Sequence, residues 1–456
     1  MGATSDGHTG ELAQRITPRL LLILVVGNVL GAGIYVVVGE VAHDVGGGVW
    51  LAFLVAFSVA GVSALTLCEL VTKYPGAAGV ALYVERAFRR PMLTFVVGFA
   101  ILASGLTSAA TAARAFGGDY LAEFLTVEPV LAAAVFVGLL AAVNYWGVVE
   151  SLRANVVMTV IELAGLALVI GAAVLVLGEG RGDLGRAVEF GDGDAFVPIA
   201  LLGGAAVAFF SFLGFEDVAN MSEEVRSPRT AYPLALFGGL AIVAAIYLAV
   251  TVLAVAAVDP DRLSGSSGPL LLVIDDSPVA VGARVFAFIA LVAVANTALA
   301  NLVMGSRLLY GMSGQGLMPA VLGLVDPRRS TPWVAVLATG VVAFALAATG
   351  NLAGLARTTV LLLLSVLLLM NISALRLRRE SVEHHHFTAP QWAPWLGAAM
   401  CLILLVNQLA TGAWVDAARA VAIVLVGLAL HALRHLTAPG RPRGDAGPTA
   451  GDAPPA

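Results

Sequence analysis

Three carboxylates in or beside long apolar stretches are the residues of this sequence best suited to chemistry. Glu162 lies in the run VIELAG with no basic residue within one helical turn, whereas Glu216 and Asp217 directly follow another apolar run. A charge inside a membrane span costs about 2.5–3.5 kcal/mol on insertion scales, so each carboxylate indicates a function or a bonded partner. Adjacent helical positions point about 100° apart. We therefore expect Glu216 to brace its segment through hydrogen bonds and Asp217 to face a polar cavity or another helix.

Two glycine-rich clusters interrupt apolar runs. GNVLGAGIY at residues 27–35 holds three glycines and an asparagine, and FFSFLGFED at residues 209–217 holds a serine and a glycine before the acidic pair. Glycines that serve only close helix packing remain an alternative for either cluster taken alone. Unwinding a helix inside a membrane frees N–H and C=O groups that lipid cannot satisfy. Freed amides favour a carboxylate and freed carbonyls favour an ammonium, so the pair predicts a site for a zwitterion such as an amino acid.

Other site chemistries are poorly supported by the sequence. The dinucleotide pattern suggested by residues 31–33 fails because Val36 occupies the third glycine position. Ser211 has no histidine in its segment to act as a base, and no phosphate-binding GxxxxGK[ST] loop occurs. The three consecutive histidines at residues 384–386 cannot converge on one metal without an unusual backbone, so we interpret them as a solvated run. We therefore expect that the protein is not an enzyme and that it binds no metal or cofactor.

Composition places most of the chain in lipid. Of its 456 residues, 59% are hydrophobic and 12% are charged, and the mean hydropathy is +0.93. Soluble proteins carry about 25% charged residues, and apolar runs of about 20 residues are long enough to cross a hydrocarbon core of about 30 Å. An ordinary soluble enzyme is therefore excluded. The net charge of −5 argues against nucleic acid as a partner, because no basic surface can neutralise its phosphates.

Hydropathy predicts twelve membrane-spanning helices. The run 279–312 is longer than one span, and we expect its end to continue as helix into the aqueous phase. We also expect a cytoplasmic segment at 1–17 and a disordered cytoplasmic tail at 436–456. The twelve predicted spans are 18–39, 49–72, 92–113, 130–149, 156–178, 197–218, 232–258, 279–312, 332–349, 352–374, 395–410 and 413–433.

The placement of basic residues predicts the orientation, because lysine and arginine resist translocation across the membrane. With the N-terminus inside, 18 of the 25 basic residues fall on the cytoplasmic side. This asymmetry predicts a cell-membrane protein with both termini in the cytoplasm. The seven basic residues on the opposite side are Arg114, Arg181, Arg186, Arg262, Arg284, Arg357 and Arg419.

Four motifs recur in order along the chain: GAGIY at 31–35, ELVTKYPGAAG at 69–79, FFSFLGFE at 209–216 followed by EEVRSP at 223–228, and SRLLY at 306–310 with GLMP at 316–319. Together they resemble the signatures of the amino acid, polyamine and organocation (APC) superfamily of transporters. Tyr35 replaces the phenylalanine that is usual in the first motif. The resemblance extends from about residue 16 to 435 and is specific because the motifs occur jointly.

This resemblance implies an all-α polytopic membrane protein with twelve transmembrane helices and the LeuT-like APC fold. Within a transporter domain at 18–435, two five-helix repeats of opposite topology, at about 18–178 and 197–375, would precede two further helices at about 390–435. Helices one and six would be broken at mid-membrane and would hold the substrate there. Carried onto this sequence, the substrate contacts would come from Gly31, Ala32, Gly33, Ile34, Phe210, Ser211, Phe212 and Leu213.

The family's coupling mechanisms do not transfer directly. Several proton-coupled relatives carry a lysine near the position of Glu162, beside the cation site of sodium-coupled relatives, and this sequence lacks that lysine. Our hypothesis is that Glu162 itself titrates and couples proton movement to transport. The alternative is a permanently protonated side chain bonded to a neighbouring helix. Asn296 and Thr297 could line a cation site opposite the first-helix break, or could simply hydrogen-bond between helices.

The sequence as a whole predicts a secondary active transporter that moves amino acids by alternating access, driven by proton symport or by exchange. A polyamine or organic-amine transporter remains open, because Glu162, Glu216 and Asp217 could bind cations. A non-transporting receptor or sensor also remains open, although it would need no broken helices at mid-membrane. Phe212 is a candidate to cover the substrate, and ordinary packing is its alternative.

Overall fold

The computed structural model describes residues 16–76, 79–146, 152–190, 198–222, 225–278, 282–329 and 331–437. Helices dominate these ranges, which contain no strand beyond two isolated β-bridges. The helices are α1 (Pro18–Leu30), α2 (Gly33–Val45), α3 (Val49–Lys73), α4 (Gly79–Phe88), α5 (Pro91–Phe116), α6 (Asp119–Ala122), α7 (Pro129–Trp146), α8 (Leu152–Gly178), α9 (Pro198–Phe209), α10 (Pro228–Ala257), α11 (Pro260–Ser264), α12 (Pro269–Asp275), α13 (Ala283–Gly314), α14 (Trp333–Thr349), α15 (Leu352–Leu377), α16 (Ala393–Ala410) and α17 (Trp414–Thr437).

The helix starts follow local capping chemistry. Proline occupies the first helical position of α1, α5 and α10, where its missing N–H has no intrahelical partner to lose. Thr17 and Asn351 cap α1 and α15 by accepting hydrogen bonds from backbone amides of the first turn. Each long helix is built from one of the apolar runs identified in the sequence, and the helix bounds differ from the predicted ones by a few residues.

The chain is a multi-pass membrane protein. Among the described residues, ten helical stretches are long and apolar enough to cross a membrane, one of which combines α2 and α3. Two shorter apolar helices, α1 and α14, accompany them. Most of the predicted run 279–312 forms α13, one continuous helix of 32 residues from Ala283 to Gly314.

Two of the predicted spans are divided in the structure. The run 18–39 forms α1 and α2 with a gap at residues 31–32, and the run 197–218 forms α9 followed by 3₁₀ turns at Phe210–Phe212 and Asp217–Met221. α9 packs on α2, and the 3₁₀ turn Phe210–Phe212 contacts both α1 and α2. These contacts bring the two interruptions together inside the helix bundle.

Two polar contacts join ends of different helices. Asp44, near the end of α2, and Arg357, near the start of α15, form an ion pair at 3.4 Å. Lys73 donates hydrogen bonds to the carbonyls of Leu377 and Glu380, both at 2.7 Å. The predicted terminal segment 436–456 lies almost entirely outside the described residues, as does most of 1–17.

Candidate functional site

The first interruption separates α1 from α2 at a point where the chain contacts other helices closely. A Cβ atom on Gly33 would lie 2.5 Å from Cα of Ser211, so any larger residue would have to displace backbone. The N-cap residue of α2, Ala32, provides no side-chain cap, and the first amides of a helix have no intrahelical partners. Residues 31–39 are all buried. The positive end of α2 therefore begins inside the protein.

The second interruption follows α9. After the 3₁₀ turn Phe210–Phe212, Leu213 is extended and Gly214 has a φ of +103°, which favours glycine. A Cβ atom on Gly214 would lie 2.7 Å from the carbonyl oxygen of Asn28, so this segment packs directly on α1. The Glu216 carboxylate accepts a hydrogen bond of 3.0 Å from the Gly214 amide, the bracing contact expected for this residue. Part of the motif that follows, Glu223 and Glu224, lies outside the described residues.

The two interruptions meet at Gly33 and Ser211, so the structure brings the two groups of predicted substrate-contacting residues together. The Ser211 side chain is 2% exposed, and its hydroxyl has no hydrogen-bond partner among the described residues. A buried hydroxyl without a partner costs about 1–3 kcal/mol. The Ser211 hydroxyl therefore offers a hydrogen-bond donor that no other described residue uses, and it lies beside the start of α2, which has no side-chain cap.

Side chains of neighbouring helices satisfy other backbone groups at the first interruption. The Ala32 amide donates to the Thr297 hydroxyl on α13 at 2.8 Å, and the Tyr247 hydroxyl on α10 donates to the Val29 carbonyl at 2.8 Å. Thr297 therefore makes the hydrogen bond between helices that was one of its two alternatives in the sequence, and a cation site there stays a prediction. Because its amide is already bonded, Ala32 is less available to a ligand than the amides of Gly33 and Ile34.

Glu162 is fully buried on α8. The Asn296 side-chain amide donates to its Oε1 at 3.1 Å, and its Oε2 has no hydrogen-bond partner in the described part of the chain. The Tyr35 hydroxyl on α2 donates to the backbone carbonyl of Glu162 at 2.8 Å. Asn296 and Thr297 are adjacent on α13, so this helix contacts both Glu162 and the first interruption.

Glu216 and Asp217 are half-buried beside the second interruption. Within the described ranges, neither forms an ion pair with a basic side chain. Asp217 begins the 3₁₀ turn Asp217–Met221. Together with Glu162, they give the region of the interruptions three carboxylates that no described basic residue neutralises.

Phe212 is 1% exposed and belongs to an aromatic cluster. Its ring centroid lies 6.2 Å from that of Phe53, 6.1 Å from that of Phe57 and 5.4 Å from that of Tyr247. These contacts provide the ordinary packing considered for Phe212 in the sequence. A role in covering the substrate stays a prediction.

Two tyrosine hydroxyls at the site had no assigned role in the sequence. Tyr35 and Tyr247 are both fully buried, and each bonds a backbone carbonyl on another helix. A tyrosine in the middle of an apolar span is the available signal, because its hydroxyl needs a partner when buried. The identity of that partner depends on helix packing and is not readable from the sequence.

Two polar groups outside the site have clear structural partners. Glu69, near the end of α3, is 2% exposed and forms a bidentate pair at 2.9 and 2.6 Å with Arg378, which directly follows α15. His384 is half-buried, with its Nε2 3.3 Å from the Thr72 carbonyl, so the predicted solvated histidine run is partly packed against α3.

The chain is similar to known proteins over nearly its whole length. The sequence profile of a family described as amino acid permease matches residues 21–430. An uncharacterized transporter of Mycobacterium tuberculosis is 29% identical over 93% of this chain and 92% of its own length. The branched-chain amino acid permease BcaP of Bacillus subtilis is 24% identical over 91% of both chains. The chloroplastic cationic amino acid transporter 9 of Arabidopsis thaliana is 28% identical over 70% of this chain and 58% of the relative.

Proposed function

Because the chain belongs to the amino acid permease family, we propose that it is a secondary active transporter that moves an amino acid across the cell membrane by alternating access. The contact between the two helix interruptions at Gly33 and Ser211 carries this proposal. Two half-helices that meet inside a membrane protein, with an unused donor at the contact, form a polar site that lipid cannot fill.

The proposed architecture has twelve membrane crossings and both termini in the cytoplasm. α1 and α2 together form the first crossing, and α9 with its 3₁₀ turns forms the sixth. These two crossings are corresponding members of two five-helix repeats of opposite topology, which places both interruptions near mid-membrane. The asymmetry of basic residues supports this assignment, as do the helix-end contacts of Asp44 with Arg357 and of Lys73 with Leu377 and Glu380, which each join residues that this topology places on one side.

The substrate's two charged groups bind at opposite helix ends in this proposal. The carboxylate accepts hydrogen bonds from the amides of Gly33 and Ile34, at the positive end of α2, and from the Ser211 hydroxyl. The ammonium lies at the carbonyl ends of α1 and α9, where the helix dipole is negative. These contacts are mainly to backbone, so they recognise the carboxylate and ammonium shared by all amino acids. The surrounding pocket then determines which amino acid side chain is accepted.

We assign the structure to a state that is closed on the non-cytoplasmic side. α2 is buried from Gly33 to Gly39 and is covered by α11, which packs against it. On the other side of the interruptions, Asn28, Leu213 and Asp217 are half-buried. This difference in exposure supports access to the site from the cytoplasm.

Proton coupling through Glu162 is the proposed driving mechanism, with exchange as its alternative. A fully buried carboxyl with one unpaired oxygen and no described basic partner is stable when it holds a proton. Its links to α13 through Asn296 and to α2 through Tyr35 connect it mechanically to the first interruption.

An organic-amine or polyamine substrate is the second candidate, and the carboxylates of Glu162, Glu216 and Asp217 favour it.

An uptake assay in reconstituted proteoliposomes distinguishes these functions. It measures how a panel of amino acids and amines competes for uptake under an imposed proton or sodium gradient. We expect an amino acid to be taken up and an inward proton gradient to stimulate its uptake. Stronger competition by a diamine than by any amino acid would support the second candidate. Binding without uptake would support a receptor and contradict transport.

A further inference from the structure

An open surface cavity of about 500 Å³ lies between the end of α4 and the start of α5, apart from the interrupted helices. Its lining residues are Leu82, Glu85, Arg86, Arg89 and Pro91. Three of these side chains are charged, and two of the three are arginines. The transport site described above makes no use of this cavity.

No described acidic side chain forms an ion pair with either arginine of the cavity, so both keep their positive charge for a ligand. Arg86 and Arg89 are exposed, and none of the ion pairs in the described part of the chain includes either of them. The Arg86 guanidinium lies 4.6 Å from the ring centroid of Tyr74, a cation–π contact that orients it without neutralising it. Burial and a hydrogen bond to Glu380 raise the pKa of Tyr74 to about 12, so its ring stays neutral beside Arg86.

The backbone adds positive potential at the same wall. Arg89 has a φ of +52°, in the left-handed region that non-glycine residues rarely adopt, and the chain turns there from α4 into α5. Pro91 is the first residue of α5, and the N-cap residue Arg90 provides no side-chain cap. The uncapped start of a 26-residue helix carries the positive end of its dipole, which favours an anion.

The surroundings of the cavity fit a lipid better than a soluble anion. Leu82 forms an apolar part of its wall, and Met92, which follows Pro91, is 54% exposed. The Arg376 guanidinium lies 4.2 Å from the Phe88 ring centroid and adds a further positive charge near the end of α4. In the proposed orientation this region lies at the cytoplasmic surface of the membrane, where anionic lipid headgroups attract clustered arginines.

We propose that this cavity binds the phosphate group of an anionic phospholipid from the cytoplasmic leaflet. Arg86 and Arg89 contact the phosphate, the start of α5 contributes its helix dipole, and Leu82 and Met92 lie beside the acyl chain. Glu85 opposes the anion and limits its affinity. The proposal rests on the orientation proposed above but not on transport, and the test therefore measures binding alone.

The test titrates the purified full-length protein in detergent with dioctanoyl phosphatidylglycerol, dioctanoyl phosphatidylcholine or inorganic phosphate, with native mass spectrometry as the readout. We expect phosphatidylglycerol to bind at least about tenfold more tightly than phosphatidylcholine, a difference of about 1.4 kcal/mol. Replacing both arginines, Arg86→Gln with Arg89→Gln, should remove that preference. Glu85→Gln should strengthen phosphatidylglycerol binding, because it removes the opposing charge.

The matched control is the pair Arg328→Gln with Arg329→Gln, which also removes two charges from a loop assigned to the cytoplasmic side. Arg329 likewise lies over a tyrosine ring, 5.2 Å from the centroid of Tyr145, so the control also loses a comparable cation–π contact. This control should retain the preference for phosphatidylglycerol.

Equal binding of the two lipids, or an unchanged preference in the Arg86 and Arg89 variant, would overturn the proposal. Inorganic phosphate that displaces phosphatidylglycerol at equal concentration would show a soluble-anion site and overturn the lipid assignment. If the double variant does not fold, Arg89→Gln and Glu85→Gln, with opposite expected effects, decide the question.

Discussion

Gly33 lies where the two interrupted helices come closest, and its hydrogen side chain permits the contact. A Cβ atom there would lie 2.5 Å from backbone of Ser211. We expect Gly33→Val to reduce amino acid uptake at least about tenfold, because a β-branched side chain would force the interruptions apart and obstruct the amides of α2. Gly138→Val on α7 is the matched control, since a Cβ atom there meets nothing within 4 Å. Uptake by both variants is measured in proteoliposomes at matched protein content. Wild-type uptake by Gly33→Val would contradict the assignment of the site.

Glu162 permits a prediction about pH. If its carboxyl carries the transported proton, wild-type uptake rises as the outside pH falls from about 7.5 to about 5.5, because protonation from outside must precede each cycle. Glu162→Gln can still accept the hydrogen bond from Asn296 but cannot titrate, so its uptake should be equal at both pH values. Glu179→Gln, at a glutamate whose side chain is 47% exposed, should keep the wild-type pH dependence. If Glu162→Gln also keeps it, Glu162 does not couple the proton.

At the scale of helices, Glu69 and Arg378 hold the end of α3 to the end of α15. The Glu69 side chain is 3% exposed, and removing its partner would leave a buried carboxylate unpaired. We expect Arg378→Ala to lower the free energy of unfolding by about 3–5 kcal/mol. Arg181→Ala breaks an ion pair whose side chains are 50% and 47% exposed, and it should cost less than about 1 kcal/mol. Thermal unfolding in detergent compares the two, and equal losses would contradict a stabilising role for the buried pair.

The sequence predicts the helices well because each depends on an uninterrupted apolar run, as α13 and α15 show. The two glycine clusters, which are local features of the sequence, coincide with the residues where α1 and α9 end. The sequence does not predict the short helices α4, α6, α11 and α12, since they lie in connections without a membrane-length apolar run. The long-range hydrogen-bond partners of buried side chains are also not readable from the sequence. The Tyr35 hydroxyl bonds a residue 127 positions away, and only the arrangement of the helices in the folded protein determines that contact.

At the scale of the whole molecule, the proposed transport cycle requires the site to be exposed to one side at a time. Asn28 and Val37 lie on opposite sides of the first interruption, and Asn28 is half-buried whereas Val37 is fully buried. The two native cysteines, Cys68 and Cys401, are both fully buried, so an introduced cysteine can be labelled against a low background.

We therefore expect Asn28→Cys to react with a membrane-impermeant thiol reagent added on the cytoplasmic side, and Val37→Cys to react slowly from either side. The physical reason is that α11 covers α2, while the segment around Asn28 borders the half-buried residues of the second interruption. The wild-type protein measures the background from the native cysteines. Labelling of Asn28→Cys only from outside would reverse the proposed orientation. Faster labelling of Val37→Cys from outside would instead contradict the assignment of this structure to a state closed on that side.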